Sequence, residues 1–257
     1  MRDAPCILAI ESSCDDTGVA VIRGRQVLSN VVAGQEVHEQ FGGVVPELAS
    51  RAHAQHIVPT VQQALKDAGI SPKQLSAVAY TQGPGLMGSL HVGAAFAKSW
   101  AWAHGLPLVP VHHMHAHVLA HYLAPGDAPS LPFLCLTVSG GHTQLVRVEG
   151  PREMEVLGST LDDAAGEAFD KVAKLLGLPY PGGPILDRLS SDGDEHAFEF
   201  SHPKVAALDM SFSGLKTQVL YFLQRSQAEN PNFISERLAD IAASVQRVIV
   251  EIHMRKL

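Results

Sequence analysis

Short runs of apolar β-formers open the chain, each broken by a polar turn. "ILAIE", "TGVAVIR" and "QVLSNVV" read as three strands, separated by the turn "SSCDD" and by Gly24. From Pro46 the period changes. "PELASRAHAQHIVPTVQQALKDAG" predicts a long helix, with Pro46 in its first turn and Gly69 just past its end. "LSAVAYT" is then a strand, "GPGLMGSLHVGAAFAKSWAWAHG" a glycine turn and a helix, and "PLVPV" a short strand. A histidine-rich stretch and a Pro-rich link, "APGDAPSLP", follow.

After the link the pattern restarts. "FLCLTVSGGHTQLVRVEGPREMEVLGS" is again strand, small polar turn, strand, turn, strand. At an offset of 126 residues Leu8 meets Leu134, Ile10 meets Leu136, Ser13 meets Ser139, and Thr17 meets Thr143. The shared plan suggests two similar α/β halves, expected at residues 1–111 and 112–257, each presenting a small-residue turn. A helix over "LDDAAGEAFDKVAKLLG", a Gly/Pro loop "LPYPGGPILD", a polar stretch and a last helix from about Ile234 to His253 complete the pattern. A second half matching the first would need a further strand, helix and strand beyond this point.

The 257 residues are 46% hydrophobic and 18% charged, a globular composition with a sizeable core. Aromatics are sparse at 6%, which argues against a stacking platform for single-stranded nucleic acid. The formal charge of −7 means that contact with a polyanion needs a local basic patch or a basic partner. Three dispersed cysteines and no CxxC fit reduced thiols. The N-terminal apolar run is too short for a signal peptide and no membrane span is visible, so a cytoplasmic protein is expected.

Several motifs carry candidate chemistry. Gly83, Gly85 and Gly88 fit G-x-G-x-x-G, but the next strand runs into His112 and His113 rather than a ribose-binding acid. A tight turn, with Gly88 and Gly93 allowing close helix packing, is the better reading. "ESSCDDTG" and "VSGGHTQ" are ordinary turn compositions taken singly; their recurrence at matching places points to a nucleotide-phosphate site. Asp163, Glu167 and Asp170 share a helical face, either solvated beside Lys171 and Lys174 or offering one carboxylate to a ribose. In "VHHMHAHVLAHY", His113, His117 and His121 form one stripe, and two imidazoles at i, i+4 make a bidentate metal platform. Met114 stands where a zinc peptidase would carry its glutamate.

Taken together, "ESSCDDTG", "FGGVVPELASR", "AVAYTQGPGLMGSLHVG", "PVHHMHAH", "VSGGHTQL", "DDAAGEAFDKVAKLLGLPYPGGP" and "SFSGLKT" resemble the TsaD (Gcp/YgjD) family over residues 7 to 217. The resemblance implies an α/β, duplicated two-lobe fold of the actin/Hsp70/sugar-kinase (ASKHA) class, with ATP or ADP binding also open to it. It implies transfer of threonylcarbamoyl from threonylcarbamoyl-AMP to N6 of the adenosine 3′ of the anticodon in tRNAs reading ANN codons. It further implies one divalent metal, Fe(2+), on His113 and His117. Substrate contacts are implied at Thr137, Val138, Ser139, Gly140, Gly141, Asp170, Gly183 and Asp187. No catalytic residue beyond these is assigned. The implied partners are tRNA, TsaB and TsaE, with a homodimer open and no membrane. Family members continue with further glycine-rich and "TDNG"-type segments, so the chain taken by itself is expected to bind metal poorly and to transfer little. The alternatives are a metal-dependent glycopeptidase, which Met114 disfavours, a non-catalytic docking scaffold, and an ATP-driven kinase or chaperone.

Overall fold

The computed structural model describes residues 4–35, 38, 41–123 and 128–257, so positions 124–127 of the Pro-rich link lie outside the described residues. Two compact units are present, Met1–Pro129 and Ser130–Leu257. The division falls later than the boundary expected after residue 111, and the histidine segment therefore packs with the first unit.

In the first unit β1 (Cys6–Glu11), β2 (Thr17–Arg23) and β3 (Gln26–Ala33) form an antiparallel meander. Next to β1, β4 (Ala77–Gly83) and β5 (Leu108–His112) add in parallel, giving the order β3-β2-β1-β4-β5. Each parallel step needs a crossover, and helices α1 (Pro46–Ala68) and α2 (Met87–His104) supply them. The α1 helix starts with Pro46 in its first turn and ends on Gly69 in the left-handed region (φ 63°), as the sequence predicts. Its Ile57, Val61, Ala64 and Leu65 bury against Leu8, Ile10, Val19 and Val21 of the sheet. Full burial of each large aliphatic contributes about 1.5–3 kcal/mol. A short helix, α3 (His113–Leu119), leaves the end of β5 directly.

In the second unit β6 (Phe133–Val138), β7 (Thr143–Gly150) and β8 (Glu153–Ser159) repeat the meander. The repeat extends to register: Leu8 pairs with Val21 and Ile10 with Val19, while Leu134 pairs with Arg147 and Leu136 with Leu145, all at the same offset. Four helices follow: α4 (Ala165–Leu175), α5 (Gly183–Ser190), α6 (Ser213–Glu229) and α7 (Phe233–Met254). Their core is built on Leu186, Met210, Phe212, Ile241, Val245 and Ile249.

Two helices go beyond the sequence expectation. The Gly/Pro loop turns into α5, and α6 begins within "SFSG", at Ser213, where the sequence offers a motif and no helix signal. The buried residues of α6, Leu215, Val219 and Leu223, sit four apart, a narrow stripe inside a polar segment. The helix expected from Leu161 begins at Ala165. The two aspartates before it stay in the loop, where they make side-chain bonds of their own.

Candidate functional site

The first cluster grows from the end of β1. Glu11 closes that strand, and the turn "SSCDD" follows it. The turn is held from behind by His53 of α1, fully buried, whose Nε2 lies 3.0 Å from the Cys14 carbonyl and whose Nδ1 lies 2.8 Å from Thr17 Oγ1. Only one tautomer serves both contacts: Nε2–H donates to the carbonyl and Nδ1 accepts from the threonine. Ser89 of α2 donates to the same carbonyl at 3.0 Å, and Ser12 donates to the Ser89 carbonyl at 2.9 Å. The glycines of "GPGLMGSLHVG" are explained here. A Cβ on Gly85 would lie 2.4 Å from the Ser13 carbonyl oxygen, one on Gly88 2.3 Å from Ser50 Oγ, and one on Gly93 2.2 Å from Ser12 Oγ. They are packing glycines, which accords with the close-packing reading of this loop.

The site sits where this turn meets α3. Because α3 starts on His113, His117 is its neighbour one turn on. The rings stand edge to face with centroids 4.5 Å apart, and their Nε2 atoms approach to 3.1 Å. On the other side of the His113 ring, Nδ1 lies 3.2 Å from Glu11 Oε2 and 3.3 Å from Ser13 Oγ. The Glu11 carboxylate also accepts hydrogen bonds from the Ser13 N–H and the Thr81 hydroxyl. Burial pushes the Glu11 carboxyl up, but the bonds from His113, Ser13 and Thr81 outweigh it and hold it down at about 2. His117 is pushed down from the ordinary imidazole value by burial and by the neighbouring His113, against the pull of Glu11. The net shift favours the neutral ring, the state in which an imidazole ligates a metal.

The implied metal can be tested against this geometry. Two nitrogens each about 2.1 Å from one ion lie roughly as far apart as these Nε2 atoms, so the pair fits as two ligands. Among the described residues no group of three or more His, Cys, Asp or Glu side chains converges as a metal site. His112 and His115 stack separately, with centroids 4.5 Å apart, and His121 lies in the short 3-10 turn Ala120–Tyr122.

The second cluster belongs to the other unit and centres on α4. Thr137, buried, and Val138, exposed, end β6 and lead into Ser139-Gly140-Gly141. Ser139 shapes that turn: its Oγ accepts from the His142 N–H at 3.0 Å and the Gly141 N–H at 3.3 Å. The turn abuts the start of α4, where the Gly166 N–H donates to the Ser139 carbonyl at 3.1 Å and the Ala165 N–H to Thr143 Oγ1 at 2.9 Å. Gly140 and Gly141 have negative φ, and, unlike at Gly85, a Cβ on either would meet no heavy atom within 4 Å. Neither internal packing nor backbone strain asks for glycine there. One turn along α4 from Gly166, the Asp170 Oδ1 accepts from the Gly182 N–H at 2.8 Å and the Gly183 N–H at 3.3 Å. Gly182 is required by close approach, since its Cβ would fall 2.2 Å from that of Ala173. Asp187, on α5 one turn beyond Gly183, is exposed and accepts from Gln246 of α7 at 3.1 Å. Ser139, Gly140, Gly141, Asp170 and Gly183 thus gather around α4, and Asp187 is tied instead toward α7.

Of the three acids expected on one helical face, Asp163 lies in the loop before α4. Asp163 and Glu167 hold Lys171 at 2.6 and 2.9 Å, while Asp170 bonds instead to Gly182 and Gly183. Sequence reasoning missed Asp162. Its two oxygens accept four bonds, from the Ser211 and Ser213 hydroxyls at 2.6 and 2.7 Å and the Phe212 and Ser213 N–H groups at 2.8 and 3.2 Å. It caps α6 from 50 residues away, a link that no local pattern encodes.

Residues 26–257 match the family model described as TsaD: tRNA N6-adenosine threonylcarbamoyltransferase. The chain belongs to the TsaD family. A tRNA N6-adenosine threonylcarbamoyltransferase of Christiangramia forsetii is 57% identical over 253 residues, covering 98% of this chain and 74% of that protein. A protein of the same name from Porphyromonas gingivalis is 56% identical over 261 residues, covering 100% of this chain and 76% of its own length. Among solved structures, component A of the (R)-2-hydroxyglutaryl-CoA dehydratase of Acidaminococcus fermentans aligns over 98% of this chain and 78% of its own, with a TM-score of 0.52 and 12% identity. That likeness bears on the fold alone. The fold of this TsaD-family chain is of the actin/Hsp70/sugar-kinase class, as the family resemblance implied, and the repeated meander agrees with it.

Proposed function

We propose that the chain performs its family's reaction: transfer of threonylcarbamoyl from threonylcarbamoyl-AMP to N6 of the adenosine 3′ of the anticodon in ANN-reading tRNAs. N6 attacks the carbamoyl carbon, a C–N bond forms, the C–O bond to phosphate breaks, AMP leaves, and N6 releases a proton. The observation that carries the substrate assignment is the Gly140-Gly141 turn. Its glycines have no internal cause, and without side chains there a phosphate could approach the turn's backbone closely, the Gly140 N–H being its donor because the Gly141 N–H already bonds to Ser139 Oγ. Thr137, Val138 and Ser139 set that backbone. Asp170 has one oxygen committed to Gly182 and Gly183, so a ribose hydroxyl would bond to Oδ2. Gly183 and Asp187 border the same side of α5.

His113 and His117 would hold a divalent cation, Fe(2+) by family resemblance. When bound there, such an ion supplies Lewis acidity toward a carbonyl or carboxylate oxygen. The protein's own contribution is to keep both Nε2 atoms close to one point and, through burial, to favour the neutral form of His117. TsaB and TsaE are the partners the family implies. Neither a peptidase glutamate after His113 nor any other observation favours the glycopeptidase reading.

The test is formation of threonylcarbamoyladenosine in an ANN-reading tRNA incubated with threonylcarbamoyl-AMP, the chain, TsaB and TsaE. Product formation supports this reading and would overturn the sequence-based expectation of little transfer; Gly140→Val and Asp170→Asn should each slow it at least about tenfold, the scale of losing a charge-assisted contact. Saturable binding of threonylcarbamoyl-AMP without any transfer overturns the transferase reading; unchanged rates in both variants overturn the substrate site.

A further inference from the structure

We propose that Glu11 is a positioning residue for the histidine pair: its carboxylate fixes the hydrogen of His113 on Nδ1, so that the Nε2 lone pair points at the place shared with His117. The inference rests on the metal reading above and concerns a residue to which that reading gives no role. Three donors converge on one carboxylate, the Ser13 N–H on Oε1 and the Thr81 hydroxyl and His113 on Oε2. An ionised carboxylate only accepts. The 3.2 Å contact to His113 therefore requires a hydrogen on Nδ1, and a neutral ring then carries its lone pair on Nε2. That atom is the one 3.1 Å from His117 Nε2. Ser13 Oγ, 3.3 Å from Nδ1, accepts from the same hydrogen. A carboxylate behind a ligating imidazole orients the ring and raises its basicity.

Glutamine has the same shape but cannot satisfy the three donors. With its oxygen at the Oε2 place, its NH2 faces the Ser13 N–H. With the amide turned round, its NH2 faces His113 and favours the tautomer that puts hydrogen on Nε2, where a metal could not bind. Aspartate keeps the charge at a shorter reach.

The test uses the full chain and Co(2+) as probe, read by the visible d–d spectrum, with ring-nitrogen NMR reporting the His113 tautomer in metal-free protein. Glu11→Gln should weaken Co(2+) binding about 10–100-fold and shift His113 away from the Nδ1–H tautomer. Glu11→Asp should recover part of both. A variant that is merely less stable would show a lower melting temperature with neither change. His113→Ala and His117→Ala should abolish the d–d spectrum. Loss in these two with wild-type binding and tautomer in Glu11→Gln overturns the role of Glu11 alone. Unchanged Co(2+) binding in both histidine variants overturns the metal reading, and this role with it.

Discussion

At the residue scale, glycines of one composition serve two purposes. Gly85 lies against the Ser13 backbone, with its hypothetical Cβ 2.4 Å from that carbonyl oxygen, and the Leu86 N–H donates to the same oxygen at 2.7 Å. A backbone atom cannot swing aside as a side-chain tip can. Gly85→Ala should therefore destabilise the chain by about 1–3 kcal/mol, the usual scale of overpacking. Gly140→Ala should shift stability by less than about 0.5 kcal/mol, because the added methyl meets open space. Paired denaturant titrations check both, and equal losses would remove the distinction. The histidines divide similarly: His53 is a buried strut, while His113 and His117 turn their Nε2 atoms to each other. Sequence spacing marked the second pair. It gave no hint of the first, whose partners Cys14 and Thr17 lie more than thirty residues away.

At the element scale, α1, α2 and α7 were legible from periodicity and end signals, whereas α5 and α6 were not. The α6 helix depends on a distant cap. Burial raises the Asp162 carboxyl, but bonds from Ser211, Phe212 and Ser213 outweigh it and hold it below the usual aspartate value. A depressed folded value means stabilisation that is complete above the unfolded value of about 3.9 and is lost as pH falls below it. Asp162→Ala should cost about 1–2 kcal/mol at neutral pH, the scale of losing a helix cap. It should also flatten the stability curve of the wild type below about pH 4. Denaturant unfolding from pH 7 to pH 3 measures both. Coincident wild-type and variant curves would show that the cap is energetically silent.

At the scale of the whole molecule, duplication and charge dominate. The two meanders repeat in sequence and in strand register at one offset, which ties each site turn to the end of the first strand of its unit. The formal charge of −7 sets a further expectation. Neutralising phosphates requires cations, so this chain alone should retain ANN-reading tRNA only weakly near physiological salt, and a basic partner should raise that affinity with a steep salt dependence. Filter binding across a salt series, with and without TsaB, would check it. Tight, salt-insensitive binding by the chain alone would overturn it. No helix among the described residues is long and apolar enough to cross a membrane.

What the sequence determined by itself was whatever short-range periodicity and composition encode. That covers the two meanders, the long helices with their proline starts and glycine ends, the SGG turn and the i, i+4 histidine pair. Those features follow from bonds within a turn or between adjacent strands, which leave a repeating mark. The tertiary structure decided which glycines are packing glycines, which acid holds the Gly182-Gly183 backbone, and which carboxylate backs His113. It also showed that Asp162 caps a helix 50 residues on. Such choices depend on contacts between residues far apart in the chain, where one hydrogen bond or one methyl's worth of space settles the role and no local pattern records it.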